Sequence, residues 1–108
     1  MSRGVDRSRD MRFDPDHPTA AGHFPGNPII PGALLLDEVL LAIAEGEGRT
    51  VGACVIRAAK FLHPVRPGDR IIVHWESHPT GETRFQCMLL DPERVALSGT
   101  VQLEVIAR

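Results

Sequence analysis

His23-Phe24-Pro25-Gly26-Asn27-Pro28-Ile29-Ile30-Pro31-Gly32 runs directly into Ala33-Leu34-Leu35-Leu36-Asp37-Glu38-Val39-Leu40-Leu41-Ala42-Ile43-Ala44-Glu45. The two halves of this stretch obey opposite rules. In the first, Pro25, Pro28 and Pro31 fix their own φ near −65° and push Phe24, Asn27 and Ile30 toward extended backbone. A loop so restricted holds an imidazole in place with little entropy left to lose. The second half has no breaker and is apolar nearly all the way round. That pattern predicts a helix buried on every side rather than one lying on a surface. Glu38 and Glu45, seven apart, mark its solvent edge. Asp37 has Ala33, Leu34, Leu40, Leu41 and Ala44 as helical neighbours, an enclosure that predicts a raised pKa and a carboxyl able to donate a proton near neutral pH. The competing reading is a cap-like Asp bonded to first-turn amides.

Past the helix the period changes from about 3.6 to 2. Gly46-Glu47-Gly48 stops the helix, since glycine past a helix end accepts the left-handed conformation. Val51, Ala53 and Val55 then alternate with Gly52, Cys54 and Ile56, continuing toward Phe61. Ile71, Val73 and Trp75 alternate with Ile72, His74 and Glu76, and Phe85, Cys87 and Leu89 repeat the pattern. Leu97, Val101, Leu103 and Val105 face opposite Ser98, Thr100, Gln102 and Glu104. His63-Pro64 to Pro67-Gly68-Asp69, Pro79-Thr80-Gly81 and Asp91-Pro92-Glu93 separate these runs as turns. A helix apolar all round needs something to wrap it, so the expected class is α+β, a curved antiparallel sheet around one long helix. Arg12-Phe13 is expected as a short strand before Asp14-Pro15-Asp16 turns the chain. Residues 1–10, polar and mixed in charge, are expected as a loose N-terminal arm, with residues 11–108 as one domain.

Composition narrows the function. The chain has 108 residues and a formal net charge of −2, with no basic stripe interleaved with aromatics, which argues against nucleic acid. No stretch is long enough to span a membrane, and Met1-Ser2-Arg3-Gly4-Val5-Asp6-Arg7 has no apolar signal core, so a cytoplasmic protein is expected. Cys54 and Cys87 lack Cys-x-x-Cys spacing and are expected as buried free thiols. His17, His63 and His78 each precede a proline, which suits ordered loops, and no His, Cys and carboxylate set has metal spacing.

A helix beginning just after Gly32 points unpaired N–H groups and the positive end of its dipole back at the loop. An imidazole at His23, an amide at Gly32 and a carboxyl at Asp37 can form a proton-transfer site with an oxyanion hole. Singly, each has a plainer explanation: a surface histidine, a turn glycine, a cap. Together they resemble the active-site loop of the 3-hydroxyacyl-carrier-protein dehydratases, His-Phe-Pro-Gly-x-Pro-x-x-Pro-Gly with Glu or Asp fourteen residues after the His. His23 and Asp37 keep that spacing. A second segment, Phe61-Leu62-His63-Pro64-Val65-Arg66-Pro67-Gly68-Asp69 with Lys60 before it, is similar to the family's Phe-x-x-Pro-Val-x-Pro-Gly-Asp turn. Thr83-Arg84-Phe85 resembles a later strand, and the likeness runs from about residue 13 to residue 106.

The resemblance implies the hotdog fold and a 3-hydroxyacyl thioester substrate on the phosphopantetheine of acyl carrier protein or coenzyme A, with no separate cofactor. It casts His23 as the base at C2, the Gly32 amide as holder of the thioester oxygen and Asp37 as the acid at the 3-hydroxyl. It also implies an isologous homodimer, or a higher oligomer of dimers, whose sites are shared between protomers. Two positions depart from the family: the acid is Asp rather than the Glu of the broad branch, and Leu41 stands where Gln is usual. A hotdog thioesterase or a non-catalytic acyl-thioester-binding subunit are the rival expectations. Arg57, Lys60, Arg66 and Arg70 could meet an acidic carrier protein, or serve only as a solvated surface.

Overall fold

The computed structural model describes residues 5–16, 29–48 and 53–103. Strand β1 (Val5–Arg12) comes first, then helix α1 (Gly32–Gly46) and strands β2 (Cys54–Phe61), β3 (Arg70–Ser77), β4 (Glu82–Leu89) and β5 (Arg94–Leu103). The strands form one antiparallel sheet in the order β1-β3-β4-β5-β2. The expected α+β hotdog arrangement is thus present, with one face of the sheet packed on one helix.

The two-residue period builds that face. Ile71, Val73 and Trp75 of β3 align across the ladder with Leu89, Cys87 and Phe85 of β4, and all six are buried. Leu97 and Val101 of β5 extend the row. Leu35, Val39, Leu40 and Ile43 of α1 close the core from the other side, joined by Phe13, Ile30 and Val65 from the loops. The strict alternation breaks once in β5. The register jumps from Cys87 opposite Leu97 to Met88 opposite Val95, so Ala96 is an extra residue, and Ala96 and Leu97 are both fully buried. A second irregularity falls between Ile56 and Ala58 of β2. Such bulges bend a strand and increase its twist, which curves the sheet over the helix.

Two expectations need correction. Residues 5–10, expected as part of a loose arm, form most of β1 and pair with β3 from Val5 opposite Ser77 to Arg12 opposite Arg70. Phe13 follows the strand rather than lying in it, and is buried. β1 escapes a hydrophobic-pattern reading because its side chains are mostly charged: Arg7 and Arg9 take the inward register, opposite Trp75 and Val73. There they reach acids at the C-terminal end of α1. Arg7 Nε lies 2.7 Å from Glu47 Oε2, and Arg9 lies 3.5 Å from Glu45 Oε2. Acids at a helix C-terminus oppose its dipole, and these arginines offset that.

The second correction concerns α1. Its sheet-facing side is buried at Leu35, Val39, Leu40, Ala42, Ile43 and Ala44, but Ala33, Asp37, Leu41 and Glu45 are exposed. These four are spaced by four and form a line along the helix. Among the described residues the sheet covers a single side of the helix, so the predicted enclosure on all sides is absent there.

Gly48, at φ +70°, ends the helix as expected, its N–H donating to the Glu45 carbonyl at 3.1 Å. Cys87 and Cys54 are both free; Cys87 is fully buried, whereas Cys54 opens β2 and is partly buried. Among the described residues no helix is long and apolar enough to cross a membrane.

Candidate active site

The start of α1 is fixed from outside the helix. Ile30, buried at the entry, donates its N–H to the Val65 carbonyl at 2.8 Å. Val65 is held by the turn that follows it. In Arg66-Pro67-Gly68-Asp69 the Asp69 N–H donates to the Arg66 carbonyl at 3.0 Å, and Gly68 has φ +89°. Proline second and a positive-φ glycine third make this a type II turn. The Asp69 carboxylate accepts the Arg66 N–H at 2.9 Å, closing the turn a second time. Gly68 then donates to the Phe13 carbonyl at 2.9 Å, and its carbonyl accepts Arg12 Nε at 3.1 Å. The second sequence motif is therefore a clamp, and what it clamps is the end of the first.

At the helix start itself, Pro31 occupies the N-cap with φ −55° and ψ 140°. Proline brings no capping side chain, and the first turn holds no acidic residue. The first intrahelical bond runs from the Leu35 N–H to the Pro31 carbonyl at 3.0 Å. Helix geometry leaves the N–H groups of Gly32, Ala33 and Leu34 without such a bond. An uncapped first turn of this kind offers donors and positive potential to a developing oxyanion.

Asp37 is the sixth residue of α1, about 7.5 Å along the axis from Gly32. Pro31, not Asp37, holds the N-cap position of the helix, with no side-chain hydrogen bond. The carboxyl is exposed between Ala33 and Leu41 on the uncovered line of the helix. Of the apolar neighbours counted from sequence, Leu40 and Ala44 are buried against the sheet while Ala33 and Leu41 are exposed. His23 and the loop through Pro28 lie outside the described residues, so its proximity to Gly32 and Asp37 is not part of this geometry.

One residue at the site was legible only as a motif letter. Phe61, at the end of β2, lays its ring against Gly32: a Cβ added there would sit 3.0 Å from Phe61 Cε1 and 3.2 Å from Cζ. Both motifs thus meet at the helix start. No period or spacing signals such a contact, because it joins residues 29 apart in sequence. Among the described residues, no three His, Cys, Asp or Glu side chains converge as a metal site.

Comparison with known proteins agrees with the fold. The family model described as ApeI-like, ApeI dehydratase, matches residues 5–106. A 3-hydroxyacyl-(acyl-carrier-protein) dehydratase FabZ of Wolbachia sp. subsp. Drosophila simulans (strain wRi) is 33% identical over 95 residues, 80% of this chain and 66% of that protein. Against its counterpart from Ligilactobacillus salivarius (strain UCC118), identity is 42% over 57 residues, 46% of this chain and 41% of that one. The matched part is therefore between about two fifths and two thirds of these relatives' length. Among solved structures, an uncharacterized protein from Erwinia carotovora subsp. atroseptica superposes with a TM-score of 0.72 at 27% identity, over 98% of each chain. The dehydratase heterocomplex ApeI:P from Xenorhabdus doucetiae gives 0.69 at 22% identity, over 91% of this chain and 86% of that one, a likeness of fold.

Proposed function

The chain belongs to the ApeI-like dehydratase family, and from that premise we propose that it removes water from 3-hydroxyacyl thioesters to give trans-2-enoyl thioesters, in the synthesis of fatty acids or related lipids and polyenes. The family match carries the reading, and the uncapped start of α1 at Gly32 supports it. The substrate arrives on the phosphopantetheine of acyl carrier protein or coenzyme A, and the protein adds no cofactor of its own. Cytoplasmic location suits such substrates.

In this reading neutral His23 takes the C2 proton. The electron pair of that C–H bond moves toward the thioester oxygen, where the Gly32 N–H holds the growing charge. The pair then returns to form the C2–C3 double bond as the C3–O bond breaks. Asp37 gives a proton to the departing oxygen, which leaves as water. Proton exchange with solvent resets His23 and Asp37, so the balance is one water released per turnover. Loss of one oxyanion donor costs roughly 10²–10³ in rate in other enzymes, which sets the scale of what Gly32 supplies.

The site is proposed to be completed by a second copy of the chain. The edge position of β2 among the described strands and the line of Asp37 on α1 support this. Val55, Ile56, Phe61, Leu62 and Leu41 are large apolar residues left 41–54% exposed. Four of the five lie on β2 or just after it, at the end of the sheet order. A homodimer joined there would cover them and enclose Asp37.

The test follows the enoyl absorbance with purified protein and a 2-enoyl or 3-hydroxyacyl thioester. Turnover is expected, and His23→Ala or Asp37→Asn should each lower it by about 10² or more with folding retained. Mixing the two inactive variants should restore roughly a quarter of the activity if each site draws on two protomers, since half the dimers are then mixed with one competent site each. A folded wild-type chain without turnover would leave the non-catalytic binding subunit as the reading. Wild-type-like turnover in His23→Ala would remove it as the base.

A further inference from the structure

Phe61 is a large aromatic residue whose position the core does not explain. It is 52% exposed, so it adds little to the packed interior. Its backbone is nevertheless held firmly. Phe61 pairs with Leu97 of β5, and the next two residues, Leu62 and His63, both donate their N–H groups to the bulge carbonyl of Ala96, at 2.8 and 3.3 Å. His63 Nδ1 adds a bond to the Val95 carbonyl at 3.0 Å. This anchored strand end lays the ring against Gly32, with Cε1, Cζ and Cδ1 within 3.0–3.4 Å of where a Cβ would be. A side chain at position 32 would crowd the ring, which would have to give by a few tenths of an ångström.

We propose that Phe61 is a positioning residue for the reaction: its ring, seated on Gly32, sets the attitude of the first turn of α1 and walls the oxyanion donor off from water on that side. This rests on the reading of Gly32 as the holder of the thioester oxygen and names what fixes it there. A donor aimed at an oxyanion gains its effect by being held before charge develops, in a site with little water. Ile30 bonded to Val65 fixes the chain before the helix, and Phe61 fixes the first residue within it. A supporting shell of this kind, on a rigid strand, holds a functional group to within a fraction of an ångström. Glycine at position 32 then has a use beyond the turn: a methyl group there would press on the ring and shift it by a few tenths of an ångström.

Steady-state kinetics on Phe61→Ala, Phe61→Leu, Gly32→Ala and the double variant Gly32→Ala/Phe61→Ala test this, with mass and melting temperature measured for each. Phe61→Ala should lower kcat at least tenfold while changing KM less than threefold, the pattern of an interaction expressed in the transition state. Phe61→Leu, which keeps apolar bulk against Gly32, should recover at least half of the lost factor on a logarithmic scale. Gly32→Ala keeps its N–H yet should lose activity by pushing the ring away. Removing the ring in that background should cost less than threefold further, because the two changes break one contact. An active wild type with unaltered kcat in Phe61→Ala overturns the role of Phe61 alone. So does a loss confined to KM, a loss that tracks dissociation of the dimer, or fully multiplicative losses in the double variant. An inactive folded wild type overturns the dehydratase reading and this inference with it.

Discussion

Cys87 sits in the middle of β4 with no exposed surface, and burial pushes its thiol from the ordinary value of 9.0 up to about 12. The sign of the consequence follows from proton counts. Below pH 9 the thiol is protonated in folded and unfolded chains alike, so its contribution is fully present. Between pH 9 and about 12 the unfolded chain releases the proton and the folded chain keeps it, so stability falls as pH rises. The slope from this one group is at most about 1.4 kcal/mol per pH unit. Denaturant midpoints for wild type and Cys87→Ala between pH 8 and 11 should therefore converge at the alkaline end; parallel curves would show that Cys87 is not a source. That Cys87 is buried could be read from alternation alone, since Phe85, Cys87 and Leu89 share one face. Asp37 was different. Spacing by four places it in line with Ala33, Leu41 and Glu45, but a helix apolar on every side does not say which line meets the sheet. The sheet takes the side of Leu35, Val39 and Ile43, and Asp37 with Leu41 is left outside.

At the scale of elements, α1 and β3 touch at a point that tolerates no extra atom. A Cβ on Gly46 would lie 2.5 Å from Trp75 Cζ2 and 2.6 Å from Cη2. Gly46→Ala gains up to about 1 kcal/mol of helix propensity. It must also move a buried indole or the helix end, which costs about 1–3 kcal/mol by overpacking. The steric term is expected to win, giving a Tm lower by several degrees at roughly 4–8 °C per kcal/mol; an unchanged or higher Tm would show that Trp75 gives way freely. The sequence announces Gly46 as part of a helix stop, and it does close the helix, but its second duty at Trp75 joins two elements and leaves no local signal. β1 shows the same limit in another form. Its residues carry no apolar alternation, and its strand character comes from the ladder with β3 and the pairing of Arg7 and Arg9 with Glu47 and Glu45. The turn between β2 and β3, by contrast, was signalled by Pro67-Gly68-Asp69, because proline followed by glycine favours the dihedral angles of the type II turn that Arg66–Asp69 forms.

For the whole molecule, the decisive quantity is how the two unfinished surfaces relate. One is β2, the edge strand among the described residues, with Val55, Ile56, Phe61 and Leu62 exposed; the other is the line on α1 with Asp37 and Leu41. The contact of Phe61 with Gly32 brings the end of β2 to the start of α1, so a partner covering one lies beside the other. A stable protein–protein interface buries about 1,600 Å² in total, and an edge strand with unpaired backbone groups is a ready template for pairing. Ile56 lies within that edge, 46% exposed and five residues along β2 from Phe61 at Gly32. Ile56→Lys should place a charge in the joint, turning a dimer into a monomer at micromolar concentration with little change in far-UV circular dichroism. If each site needs two chains, turnover should fall in proportion to the dimer lost and return as protein concentration rises. Sedimentation velocity and the enoyl assay across one concentration series read both quantities. A folded monomer with undiminished turnover would place the working site within one protomer, and the exposed line of α1 would then be substrate-facing rather than partner-facing. A variant that stays dimeric would move the joint off β2.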